Sequence, residues 1–110
     1  MAWELIEPIE GCFDFVLLDG LLRDARSHDL RLIVLWFGSW KNGMSSYVPL
    51  WVKQDCARFP CVKLHTDATI EVLSTLAEAN WQADARAFAA LMRHIAEVDG
   101  QDHTVILTNT

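Results

Sequence analysis

The chain is poor in basic residues and in cysteine. Nine Lys and Arg stand against fifteen Asp and Glu, giving a net charge of −6 and a pI near 5.0. That balance argues against nucleic acid or an anionic membrane surface as a partner. Three cysteines, Cys12, Cys56 and Cys61, are an odd number without a regular framework, which does not suggest a disulfide scaffold. Cys56, Cys61 and His65 could be drawn as three metal ligands. There is no second cysteine pair and no compact knuckle spacing, so free thiols are the reading, and neither metal nor cofactor is expected. No apolar run approaches the roughly 20 residues that span a bilayer. The opening Met1-Ala2-Trp3-Glu4 has neither a basic region nor a hydrophobic signal segment, so the compartment stays open. Internal repeats and low-complexity segments are absent too.

What the chain has is apolar and aromatic. Of its 110 residues 52% are hydrophobic and five are tryptophan, enough for a core in one small domain or a piece of a larger one. The organising stretch runs from Leu32 to Trp51. It begins as an unbroken apolar run, Leu32 to Phe37, the pattern of a parallel strand buried on both faces. At Gly38 it changes to small, polar and aromatic residues: Ser39, Trp40, Lys41, Asn42, Gly43, Ser45, Ser46 and Tyr47. A buried strand opening into such a loop is how α/β proteins build a binding face, and flat rings beside fixed donors suit a sugar. Trp36, inside the strand, reads first as a core aromatic. Trp40, flanked by small residues and a lysine, reads as a site residue.

In chain order, Trp3 to Ile6 is expected to end a strand, with a turn punctuated by Pro8 and Gly11. Asp14 suits an N-cap, and Leu18, Leu21, Leu22 and Ala25 recur at helical spacing, with Arg23, Asp24 and Arg26 on the other side, up to Ser27-His28. Pro49 can begin a short helical turn, and Arg58 to Lys63 reads as extended. The connection from Gly38 to about Ser74 is longer than an ordinary βα loop, and 66–78 is ambiguous. A long helix spans Ala83 to Val98, with Phe88, Leu91, Met92 and Ile95 as its stripe and Asp84, Arg86, Arg93 and Glu97 toward water. Gly100 stops it, and Thr104 to Thr108 is a final strand. His28 and His94 are given no chemical role. The order strand, helix, strand, long loop, helix, strand predicts an α/β fold with parallel strands. Outer strands left bare at both ends predict a segment of a larger protein that associates through its strand edges.

The residues also carry a resemblance. Trp3-Glu4-Leu5-Ile6-Glu7-Pro8-Ile9-Glu10-Gly11-Cys12-Phe13-Asp14-Phe15 resembles the signature of retaining β-glycosidases with (β/α)8 barrels, found in β-galactosidases of glycoside hydrolase families 35 and 42. Leu35 to Gly43, Ser45 to Pro49, and Asp84 to Gly100 resemble the narrower set of bacterial family 35 β-galactosidases. The similarity covers nearly the whole chain. It implies part of a TIM barrel, about strands two to four of the catalytic domain. It implies a β-galactoside-like carbohydrate as partner and a sugar-binding wall of Trp40, Lys41 and Asn42, with Trp3, Trp36 and Tyr47. In that family the acid is a glutamate after an asparagine at the end of strand four, and the nucleophile a glutamate at the end of strand seven.

Here Thr108-Asn109-Thr110 stands where the first of these would follow, and no glutamate comes after Asn109. A retaining glycosidase needs two carboxyls about 5–5.5 Å apart. Glu4, Glu7, Glu10, Asp14 and Asp24 read instead as solvated or capping groups. The expectation is therefore no catalytic residue in this chain and no activity from it alone. Two alternatives belong to other classes. One is a non-catalytic carbohydrate-binding or protein-interaction module. The other is a small enzyme using Cys56 or Cys61 with His65, for which there is neither a nucleophile elbow nor a redox pair.

Overall fold

The computed structural model describes residues 1–39, 47–55, 57–63, 69–73 and 77–109, with only the backbone described for 62–63 and 69–73. It is a mixed helix and strand structure. The elements are α1 (Trp3–Ile6), α2 (Val16–Ser27), β1 (Leu32–Leu35), α3 (Leu50–Lys53), β2 (Cys61–Lys63), β3 (Thr69–Leu73), α4 (Glu78–Asp99) and β4 (Val105–Asn109).

The sheet that organises the rest is parallel. β1 pairs with β4, with Ile33 opposite Leu107 and Leu35 opposite Asn109. A β-bulge next to Leu32 shifts the register by one residue. On the other edge of β1, Ala2 forms a parallel bridge to Phe37. The Trp3 amide donates to the Phe37 carbonyl at 2.9 Å and the Phe37 amide to the Met1 carbonyl at 3.0 Å. The Trp36 amide turns the opposite way, to the Asn109 carbonyl at 2.8 Å. Three chain segments thus lie side by side in sequence order, all pointing one way. The first of them is a single bridge at Ala2.

Helix α2 connects the first segment to the second, and α4 lies between the second and the third. Both pack on the same face, because they touch each other. Phe15 stacks on His94 at 4.1 Å, His94 Nε2 meets Asp19 Oδ1 at 2.6 Å, and Arg26 Nη2 reaches Asp99 Oδ1 at 2.6 Å. The core between helices and sheet holds Leu18, Leu22, Val34, Trp36, Ala83, Ala87 and Leu91. The other face of the sheet is bare: Ile33 is 58%, Leu35 40% and Leu107 55% exposed.

Several sequence expectations are corrected. Trp3 to Ile6 is a helical turn and not a strand end. Trp3 and Ile6 are buried while Glu4 and Leu5 face outward, a spacing of three that suits a helix. Strand β1 is buried on one face, so its apolar run does not mean double burial here. In the long connection the extended reading holds for Cys61–Lys63, and Thr69–Leu73, in the stretch left open, is the strand that pairs antiparallel with it, both drawing on the β-branched Val62, Thr69, Ile70 and Val72. Helix α4 begins at Glu78, earlier than Ala83. Its buried line is Ala83, Ala87 and Leu91, with Phe88, Met92 and Ile95 flanking. Alanine carries a weak hydrophobic signal, yet its small side chain lets a helix approach a sheet closely. The parallel direction of β1 and β4, the α2 helix and the Pro49 start of α3 agree with expectation. The Val16 amide donates to Asp14 Oδ1 at 3.0 Å, so Asp14 does serve the start of α2.

The amino-terminal end of the sheet is closed by Asp99. Its buried carboxylate accepts from Arg26 and, at 2.8 Å, from the Val105 amide, while Arg26 Nε also donates to Thr104 Oγ1 at 3.1 Å. Burial pushes the Asp99 carboxyl up. The Val105 amide, the Arg26 guanidinium and Thr104 outweigh it and hold the pKa at about 2, below the ordinary 3.8. A carboxyl depressed on folding stabilises the fold above its unfolded pKa and loses that contribution as pH falls through about 2. Between pH 5 and pH 2 this group should therefore remove on the order of 2 kcal/mol of unfolding free energy. In urea melts Asp99→Asn should be weaker than the parent at pH 5 and lose less over that interval. An unchanged pH slope would contradict the assignment.

Candidate functional site

Parallel sheets of this kind present their chemistry at the carboxyl ends of the strands, where loops leave for the helices. Here that end is built from Trp3, from Trp36 to Ser39, and from the first half of α4. The organising group is Asp84. Its Oδ1 accepts from Trp36 Nε1 at 2.7 Å. Its Oδ2 accepts from the Ser39 amide at 2.8 Å and from Ser39 Oγ at 2.7 Å. One carboxylate thus fixes the orientation of the strand's last aromatic and the first residues of the loop. Gly38 sits directly against it: a Cβ there would lie 2.3 Å from Asp84 Oδ1. Trp36 is 4% exposed, and its ring lies 5.8 Å from Phe88.

A second carboxylate does similar work a few residues from Ala2. Glu7 is 5% exposed. Its Oε1 accepts from Trp3 Nε1 at 2.9 Å and its Oε2 from the Gly11 amide at 2.8 Å. Gly11 has φ +78°, and the Cys12 amide donates to the Ile9 carbonyl at 2.9 Å. That is the third position of a tight turn, where a positive φ favours glycine. The Glu7 carbonyl accepts from Trp51 Nε1 at 2.9 Å, and Trp51 packs edge-on against Trp3 and Phe59. Tyr47 comes back to the same end. Its carbonyl accepts from the Glu4 amide at 3.0 Å, and its ring lies 4.9 Å from Phe37.

The sequence-derived wall is therefore divided. Trp40, Lys41 and Asn42 lie outside the described residues, as do Cys56 and His65. Trp3 and Trp36 lie in the core with their indole N–H groups bound to Glu7 and Asp84, and Tyr47 is half-buried beside Phe37. Cys61 is half-buried in β2, and Cys12 is exposed. Among the described residues no group of three His, Cys, Asp or Glu is placed to hold a metal.

Two groups were misread from sequence. Asp84 does not simply face water, and Glu7, whose amide ends α1 on the Trp3 carbonyl, has its carboxylate buried on Trp3 and Gly11 and not solvated. The Trp3–Glu7 pair has the i, i+4 spacing of neighbours on a helical turn, which was a usable signal. Nothing local to Asp84 pointed to residues 45 and 48 positions away.

Because Gly38 and Asp84 press on each other, their substitutions should not add. Asp84→Ala leaves the Trp36 indole and the Ser39 amide without their acceptor, about 1–3 kcal/mol for each group kept from water. Gly38→Ala alone should cost about 1–3 kcal/mol, because the bonded carboxylate must move. In the Asp84→Ala background Gly38→Ala should cost much less. Denaturant melts of the four variants measure this, and the Trp36 indole proton resonance reports the lost bond directly. Strict additivity would remove Asp84 from its role.

No protein-family model matches the chain, and no curated protein matches it.

Proposed function

We propose that the chain forms part of the substrate-facing wall of a retaining, β-galactosidase-like glycoside hydrolase with a (β/α)8 barrel. The observation that carries this reading is the arrangement of Ala2, β1 and β4. They run parallel in chain order with both intervening helices on one face, while Ile33, Leu35 and Leu107 leave the other face apolar and bare. Barrels are wound in this way, with the opposite face forming the packed interior. The aromatic stretch from Trp36 leaves from the carboxyl end, where barrel enzymes bind substrate, and it contains the motif that resembles family 35 β-galactosidases.

In this reading the chain's role is to position sugar, not to break the bond. The two described carboxylates nearest the strand ends are engaged: Glu7 by Trp3 and Gly11, Asp84 by Trp36 and Ser39. Their oxygens are taken up by indole, amide and hydroxyl donors of this chain, so neither carboxylate is free to turn toward a glycosidic oxygen or an anomeric carbon. In this reading the acid would follow the end of the fourth strand and the nucleophile would stand at the end of the seventh, and neither is among these residues. Trp3 and Trp36 support the wall from within, and Trp40, Lys41 and Asn42 supply its ring face and its donors. The bare apolar face would serve a non-catalytic interaction module equally well, and activity separates the two.

The purified chain alone should not turn over a nitrophenyl β-galactoside, whereas the same chain within a complete barrel should. Within that barrel, Trp40→Ala should weaken a galactose-type inhibitor by roughly 1 kcal/mol or more, the order of a ring-stacking contact. Trp51→Ala should mainly cost stability, because Trp51 donates to the Glu7 carbonyl and packs on Trp3 and Phe59. Turnover by the chain alone, or a larger affinity loss at Trp51, would overturn this assignment of roles.

A further inference from the structure

A separate concavity lies between the turn after α1 and α4. It is a cleft of about 300 Å³, to which α4 contributes Arg86, Ala90 and Arg93 and the turn contributes Glu10, Gly11 and Phe13. Glu7 also borders it, with its oxygens on Trp3 and Gly11.

The charges in this cleft are unevenly satisfied. Arg58 grips Glu10 with both terminal nitrogens, Nη1 at 3.0 Å and Nη2 at 2.7 Å. That bond holds the Glu10 carboxyl below its ordinary range, with a smaller contribution from the nearby Arg86. Among the described residues the ion pairs join Arg26 to Asp99 and Asp102, Arg58 to Glu10, and His94 to Asp19; none takes in Arg86 or Arg93. These two arginines stand seven residues apart, about 10 Å along the helix and on one face. Ala90 lies between them, and its small side chain leaves the space open. Beside them Phe13 is 38% exposed, with its ring parallel to Phe15 at 6.1 Å.

We propose that this cleft binds a small organic carboxylate with a flat apolar body, the acid group held by Arg86 and Arg93 and the body lying against Phe13. Guanidinium forks match a carboxylate's two oxygens, and they are the groups left over once Glu10 has taken Arg58. The half-exposed ring supplies an apolar surface for the rest of the ligand. A volume at the low end of small-molecule sites admits a single-ring acid and excludes a nucleotide or a folded partner. The cleft uses none of the proposed sugar-wall residues, so it stands or falls apart from the glycosidase reading.

The test is a titration of the full chain, isotopically labelled for NMR, with benzoate as the probe. Benzyl alcohol supplies the same ring without charge, and inorganic phosphate the charge without a ring. Benzoate should shift the Gly11, Phe13 and Ala90 amides saturably, and about tenfold or more tighter than either counterpart. Arg86→Gln and Arg93→Gln should each weaken benzoate, and the double variant should abolish saturation. Both side chains are exposed on α4, so the folded spectrum should persist. Phe13→Ala should weaken benzoate and leave phosphate unaffected. Equal binding of benzyl alcohol or phosphate, shifts remote from the cleft, or benzoate binding that survives in the double variant would each overturn the proposal.

Discussion

The geometry at the carboxyl end depends on one shared carboxylate. Asp84 takes the indole of Trp36 with one oxygen and the amide and hydroxyl of Ser39 with the other. A carboxylate withdrawn from water is costly unless its lone pairs are filled, and three short bonds fill them. The same bonds orient α4 against the end of β1 and exclude any side chain at residue 38. The direction in which the chain leaves the sheet is thereby set before residue 40. A fixed root lowers the ordering cost of any contact the following segment makes, since each degree of freedom left at the root must be frozen on binding.

The same device recurs with different partners. Glu7 joins α1 to the turn at Gly11, and Asp99 joins α4 to α2 and to the start of β4. Glu7 and Asp84 serve the carboxyl end of the sheet, and Asp99 the amino end. An excess of acid in the composition is therefore partly internal architecture. The exposed Arg58–Glu10 pair is of another kind. It contributes little to stability, but it decides which charges in the neighbouring cleft remain available.

Much of the scaffold was legible because periodicity reports it. The apolar run at Leu32, the helical spacing from Leu18 to Ala25 and the final Val105-Ile106-Leu107 each mark an element and its direction. Legibility failed where long-range bonds decide. Trp3-Glu4-Leu5-Ile6 suits a strand end or a helical turn, and the bond from the Glu7 amide to the Trp3 carbonyl at 2.9 Å closes the turn. Trp36 reads as core or as site from its type alone. It is core here because Asp84, 48 positions later, accepts its only polar proton. Arg26, read as one of the solvent-side charges of α2, spans two helices for the same reason: its partners lie more than 70 positions away. Pattern reading sees neighbours along the chain and along a helix face, whereas carboxylate bridges join residues that share neither.

The uncovered side of the sheet follows from the same division of labour. Trp36 and Val34 point toward the helices, so alternation sends Ile33 and Leu35 the other way, and the register places Leu107 beside Ile33. Neither strand itself carries a charged residue to oppose burial of that face. Among the described residues no strand pairs with the outer edge of β4, and Val105–Asn109 carries neither proline nor a charged residue to block one. An apolar face and an open edge on the same strand favour one solution for both: another strand beside β4, continuing the sheet and curving it over Ile33, Leu35 and Leu107. A strand from elsewhere in the same molecule would do this, and a second copy would do it by edge association. In either case the α2–α4 layer can stay as it is, because its contacts with the sheet through Val34 and Trp36 lie on the opposite face.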